Sequence, residues 1–131
     1  MHLYFIDKEH ETMFYSLIDT DSDRIYYMPL MYLLTMDREC RKHIKQIYNF
    51  EERCIIPDCL AAAWVTGSSR RTLNLAFNLY TDNTAFTDNV AACSISNIFD
   101  YSAEYNFYYW NAIKMRYRID EENTNICINI E

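Results

Sequence analysis

Residues 64–80 read WVTGSSRRTLNLAFNLY. The stretch holds the only glycine of the chain, Gly67, followed by two serines and two arginines. Leu73, Ala76, Phe77 and Tyr80 then fall at i, i+3, i+4 and i+7, the apolar stripe of an amphipathic helix over about 69–80. Ser68 or Ser69 is the expected N-cap, because its hydroxyl can accept from an otherwise unpaired amide of the first turn. Gly67 marks the ordered turn that feeds this helix.

Working outward, the rest of the chain reads mostly as helix. Of 131 residues only one is glycine and two are proline, whereas sandwiches and barrels need many tight turns. Asn, Asp and Ser supply the loops instead. Asp7 is placed as an N-cap, with Glu9 and Glu11 in a first turn where carboxylates suit the helix dipole. Met13, Phe14, Leu17 and Ile18 give the stripe of a helix over about 8–18. Residues 26–36 are strongly apolar, and Pro29 suits a first helical turn, where its missing N–H matters little. That pattern predicts a largely buried helix. Asp37 is set to cap a following helix over 38–48. Residues 49–60 read as an irregular connector around Pro57, and 60–64 as a short helix or turn. Ser94 and Ser102 are placed as caps of helices over 95–99 and about 103–117. Ile126, Ile128 and Ile130 alternate with Cys127 and Asn129 in a strand pattern, and residues 3–6 are a candidate pairing strand or docked arm. The expected architecture is mainly α: a compact single-domain bundle of about five to six helices over residues 1–131, with a small two-stranded N/C-terminal β element.

Composition narrows the function classes. The apolar fraction of 50% supports a folded globule of one domain. Twelve tyrosines, each with an apolar body and a polar tip, suit half-buried and partner-facing positions. The net charge of −7 disfavours free association with a nucleic-acid backbone, where affinity comes from neutralising phosphates, and favours a basic partner. Five cysteines, an odd number, read as reduced intracellular thiols. The N-terminus has neither the basic flank nor the apolar run of a signal, and no stretch is long enough to span a bilayer, so the expected location is the cytoplasm.

Motifs with chemical content are few. Asp19, Asp21 and Asp23 alternate as in a calcium loop, but Arg24 and Leu30 stand where that pattern needs glycine and glutamate. Cys40-x2-His43 and Cys54-x4-Cys59 lack the spacing of a structural zinc site, and no metal or cofactor is assigned. Arg38, Arg41, Lys42 and Lys45 form the main basic patch, read as a solvated helix face. Gly67, Ser68, Ser69, Arg70 and Arg71 make a candidate anion cradle, with amides, hydroxyls and guanidinium groups at one helix start. No local signature supports a Cys/His nucleophile using His10 or His43, and no catalytic residue is assigned.

The segments EHETMFYSLI (9–18), YLLTMDRECRKHI (32–44), Ile55-x-Pro57-x-x-Leu60, WVTGSS (64–69), LAFNLY (75–80) and NAIKMRY (111–117) resemble, in order, an uncharacterised small-protein family. It is a domain of unknown function of Gram-positive bacteria, their prophages and other mobile elements. Members often carry arginine ahead of LAFNL and Asn-Gly after it, where Asn74, Thr81 and Asp82 stand here. The resemblance carries no established reaction. It implies a mobile-element accessory protein, and small acidic proteins of that kind often block a host defence protein, as anti-CRISPR proteins do.

The expected function is therefore a non-enzymatic protein-binding module that inhibits a bacterial defence system such as a CRISPR effector nuclease. Its partner surface would combine acidic loops, Asp19, Asp21, Asp23, Glu51 and Glu52 with residues 120–122, and exposed anchors Tyr101, Tyr105 and Tyr108. The alternative is a sensor or sequestering domain that holds a nucleotide-like anion at Gly67, Ser68, Ser69, Arg70 and Arg71.

Overall fold

The computed structural model describes residues 2–19, 23–83, 93–100 and 104–119. The described residues contain seven α-helical segments: α1 (Lys8–Leu17), α2 (Tyr27–Met36), α3 (Arg38–Lys42), α4 (Ile44–Ile47), α5 (Gly67–Thr81), α6 (Ile95–Ile98) and α7 (Asn106–Tyr117). Between α4 and α5 lie two short strands, β1 (Tyr48–Asn49) and β2 (Cys54–Ile55), and a 3-10 turn, Pro57–Ala61. The fold is mainly helical, as composition predicts, and the described residues include a small two-stranded antiparallel sheet.

The centre is α2. Every residue from Pro29 to Met36 is buried, so this helix is apolar on all faces and must be enclosed. It packs against α1, α5, α7 and α3. Leu73, Ala76 and Phe77 of α5 meet it as the periodicity predicts, and Tyr109, Ala112 and Met115 of α7 close the core. Asp7 caps α1, its carboxylate accepting from the His10 amide at 2.7 Å. Asp37 caps α3, accepting from the amides of Glu39 and Cys40.

Three expectations need correction. Among the described residues the sheet pairs Tyr48 with Ile55 and Asn49 with Cys54, inside the supposed irregular connector. Of the two readings of residues 3–6, the docked arm is the one that the structure shows. Phe5 packs against the rings of His10, Phe14 and Tyr32, and the Tyr32 hydroxyl donates to the Tyr4 carbonyl. The alternating residues 126–130 lie outside the described residues. The single helix expected over 38–48 is two, because His43 leaves helical geometry (φ −112°, ψ 25°) and its ring stacks on Trp64 at 4.4 Å. Finally, α5 begins at Gly67, with Thr66 at the N-cap, two residues before the expected start.

Candidate functional site

The best-formed concave feature lies where the end of α1, the start of α2, the end of α5 and the β1–β2 hairpin meet. It is a cleft of about 410 Å³. Tyr48 of β1 is its aromatic hub, only 3% exposed. Its ring makes edge contacts with Tyr27 at 5.8 Å, Phe50 at 5.0 Å and Tyr80 at 6.2 Å. All four rings line the cleft, together with Leu17. The remaining lining is charged: Asp19, Asp23 and Arg53.

Local chemistry fixes these groups. Asp23 Oδ1 accepts from the amides of Ile25 at 2.8 Å and Tyr26 at 3.1 Å, so the carboxylate is locked into the turn that starts α2. The Tyr27 hydroxyl donates to the Leu17 carbonyl and ties α2 to the end of α1. On the hairpin, Asn49 Oδ1 accepts from the amides of both Glu51 and Glu52 at 3.0 Å, which folds the loop and leaves those glutamates exposed. Arg53 closes the loop in the left-handed region, φ 56°, an uncommon conformation for a side chain of this size. Burial, then the negative charge of Asp19, push the Tyr27 hydroxyl above its ordinary value, while Arg53 pulls the other way. Burial and the hydrogen bond to Tyr80 push Tyr48 up as well. Both phenols stay protonated at neutral pH and present neutral, electron-rich ring faces.

The expected partner surface is only partly assembled here. Asp19 and Asp23 line the cleft, and Glu51 and Glu52 sit on the loop whose flanking residues, Phe50 and Arg53, line it too. Asp21, Tyr101 and residues 120–122 lie outside the described residues. Tyr105 is buried, 8% exposed, because its position at the start of α7 turns it inward onto Tyr109, so it is not the exposed anchor expected. Tyr108 is half-buried against Phe107 and His10, away from the cleft lining. Sequence reasoning missed Tyr27, Tyr48, Phe50 and Arg53 as site residues and read Tyr80 as core only. The one local signal was Asn49, a turn-former two and three residues ahead of a Glu pair.

Within the Gly67–Arg71 cradle, Ser69 and Arg70 are hydrogen-bonded into the fold. Gly67 is an ordinary helical residue and has no positive φ. Ser69 is 1% exposed, and its hydroxyl accepts from the Thr66 amide at 2.7 Å and donates to the Thr66 carbonyl. Arg70 donates to the Leu60 carbonyl at 3.1 Å, anchoring α5 to the 3-10 turn. Ser69→Ala is therefore expected to destabilise the fold by about 1 kcal/mol, the usual loss for a helix-start hydroxyl. Urea unfolding measures it, and an unchanged midpoint would show that Ser69 does not hold the start of α5.

The basic patch is also largely spoken for. Arg41 is 11% exposed, with its guanidinium on Asp7 at 3.0 Å, Glu9 at 2.9 Å and the Thr35 carbonyl at 2.7 Å. Arg38 pairs with Glu104 and Lys42 with Glu39. Burial pushes the thiols of Cys40, Cys59 and Cys93 up, which keeps them protonated and unreactive. Among the described residues, no three or more His, Cys, Asp or Glu side chains gather as a metal site. No described helix is long and apolar enough to cross a membrane.

These features define a small helical domain with an aromatic cleft flanked by exposed carboxylates. The chain belongs to the family of unknown function DUF6075, whose model matches residues 1–127. No curated protein and no solved structure matches it.

Proposed function

We propose that the protein is a non-enzymatic, acidic binding module that engages a basic protein surface and inhibits a bacterial defence system of the CRISPR effector-nuclease type. One observation carries the binding part. Asp19 and Asp23 line the cleft, Glu51 and Glu52 stand on its hairpin, and the cations Arg38, Arg41 and Lys42 are paired with carboxylates elsewhere. An exposed acidic face of this kind steers a basic partner and sets register more than it adds raw affinity. Nucleic-acid-binding grooves of effector nucleases are such basic surfaces. The defence target comes from the resemblance to proteins of prophages and mobile elements.

The test is cleavage inhibition across a panel of CRISPR effector nucleases from Gram-positive bacteria. Inhibition of at least one is expected, stronger at about 0.05 M than at about 0.5 M salt. The quadruple variant D19N/D23N/E51Q/E52Q should raise the inhibitory concentration about tenfold or more while leaving the thermal midpoint within about 3 °C. A panel without inhibition, or a quadruple variant as potent as wild type, would refute the reading.

A further inference from the structure

We propose that the Tyr27–Tyr48–Phe50–Tyr80 cleft seats the guanidinium of an arginine side chain presented by the basic partner. The proposal rests on the binding reading above and names the group that the site takes. Three features support it. The first is shape: the edge-on contacts around Tyr48 set the rings in different planes, so they form walls around a floor rather than one flat stack. The volume falls in the range of small-ligand pockets, roughly 300–1,000 Å³.

The second feature is charge. Two carboxylates, Asp19 and Asp23, line the cleft against one guanidinium, Arg53, so the lining is net negative. The Asp23 carboxylate is already held by two backbone amides through Oδ1, so presenting Oδ2 to a ligand loses little side-chain freedom. The third feature is the match of arginine to both. A guanidinium stacks on aromatic faces, forks onto a carboxylate and gives up water more readily than an ammonium. Lysine would satisfy the carboxylate and use the rings less well.

Arg53 makes the proposal discriminating. For a cationic guest it is a competitor; for an anionic guest it would be the anchor. The probe is the tripeptide acetyl-Gly-Arg-Gly-amide, titrated into the protein while the aromatic carbon–proton signals of its tyrosines are followed by NMR. Saturable shifts at Tyr27, Tyr48 and Tyr80 are expected, with a dissociation constant on the order of 1 mM. The citrulline tripeptide, equal in shape and uncharged, should bind about tenfold more weakly. D19N/D23N should abolish the shifts, and Arg53→Gln should tighten binding severalfold.

Silence at those three rings, equal binding of the citrulline peptide, or weaker binding in Arg53→Gln would overturn the proposal. The partner assay separates the two levels. If the quadruple variant loses inhibition but the tripeptide leaves the cleft tyrosines unmoved, the arginine seat falls and the binding module stands. If the tripeptide binds as described but no effector is inhibited, the seat stands and the target assignment falls.

Discussion

Asp37→Ala is expected to destabilise the fold by about 3 kcal/mol, with a fall of about 10 °C in the thermal midpoint. Asp37 is 1% exposed, and its carboxylate is the joint of three elements. Oδ1 accepts the Glu39 and Cys40 amides that open α3. Oδ2 accepts from Thr72 of α5 at 2.8 Å, and the Thr72 oxygen lies 2.7 Å from the Tyr109 hydroxyl of α7. The single Thr72 hydroxyl proton goes best to the charged acceptor, so Tyr109 donates to Thr72. Truncating Asp37 removes a cap, worth about 1 kcal/mol. It also takes away the charged acceptor of the buried Thr72 hydroxyl, worth about 2 kcal/mol more, and leaves that hydroxyl only the neutral Ser68 carbonyl at 3.1 Å. Asp37→Asn keeps the volume and an acceptor for the amides, and should lose only about 1 kcal/mol. Thr72→Val leaves Oδ2 without its donor and should lose about 2 kcal/mol. In D37A/T72V the losses should fall short of their sum by about 1 kcal/mol, because both remove one shared bond. Urea unfolding of the four variants beside wild type decides it. Asp37→Ala within about 1 kcal/mol of wild type would mean that the carboxylate does not join α3 to α5 and α7.

That joint also shows where sequence reading succeeds and where it stops. Asp37 as a cap is local information: an acceptor directly before a helix, two and three residues from the amides it takes. Asp7 is legible for the same reason, and α2 because eight consecutive buried residues leave a run of apolar side chains in the sequence. The bond from Asp37 to Thr72 spans 35 residues and leaves no local trace. The cleft is harder still. Its lining comes from four places, Leu17 with Asp19 and Asp23, then Tyr27, then Tyr48 with Phe50 and Arg53, then Tyr80, and each contributes only one or a few residues. The hairpin that carries Phe50 and Arg53 has strands of two residues, too short to show a period of two. Helical periodicity assigned Tyr80 to the core, and half of that is right: its ring packs on Tyr48 while it also lines the cleft. Tyr105 fails by the same logic in reverse. It stands just before α7, where the start of the helix decides which way the side chain turns, and the helix begins at Asn106 rather than near 103.

The second large effect is acid destabilisation through His10. Its ring is completely buried. Nδ1 accepts from the Ile6 amide at 3.1 Å, so the proton sits on Nε2 and is donated to the Tyr32 carbonyl at 2.9 Å. Both ring positions are used in the neutral form, and a second proton on Nδ1 would face an N–H donor. Burial lowers the ring's pKa from 6.5 to about 4; Arg41 pushes the same way, while the Tyr32 carbonyl and Asp7 oppose it. The folded value lies below the unfolded one, so the unfolded chain binds more protons at intermediate pH. The contribution is complete above about pH 6.5 and is lost as pH falls toward 4. Between pH 7.5 and 4.5 the loss should be on the order of 2–3 kcal/mol. Asp7 adds a separate window. Burial raises its carboxyl, but the His10 amide and Arg41 outweigh that and hold it below 3.8, so its share disappears only at more acid pH. His10→Gln can keep a donor for the Tyr32 carbonyl but cannot take a proton. The variant should be about 1 kcal/mol less stable at pH 7.5, from the lost acceptor for Ile6. Its stability should then fall by roughly 2–3 kcal/mol less than wild type down to pH 4.5, so the two curves cross between the two pH values. Urea unfolding across that range measures both, and parallel curves for the two proteins would show that His10 is not the group that titrates. The same ring holds the N-terminal arm, through Ile6 and the edge contact of Phe5 at 4.9 Å. Protonation should therefore release residues 3–6 first, and amide exchange at Ile6 should rise before exchange in α2.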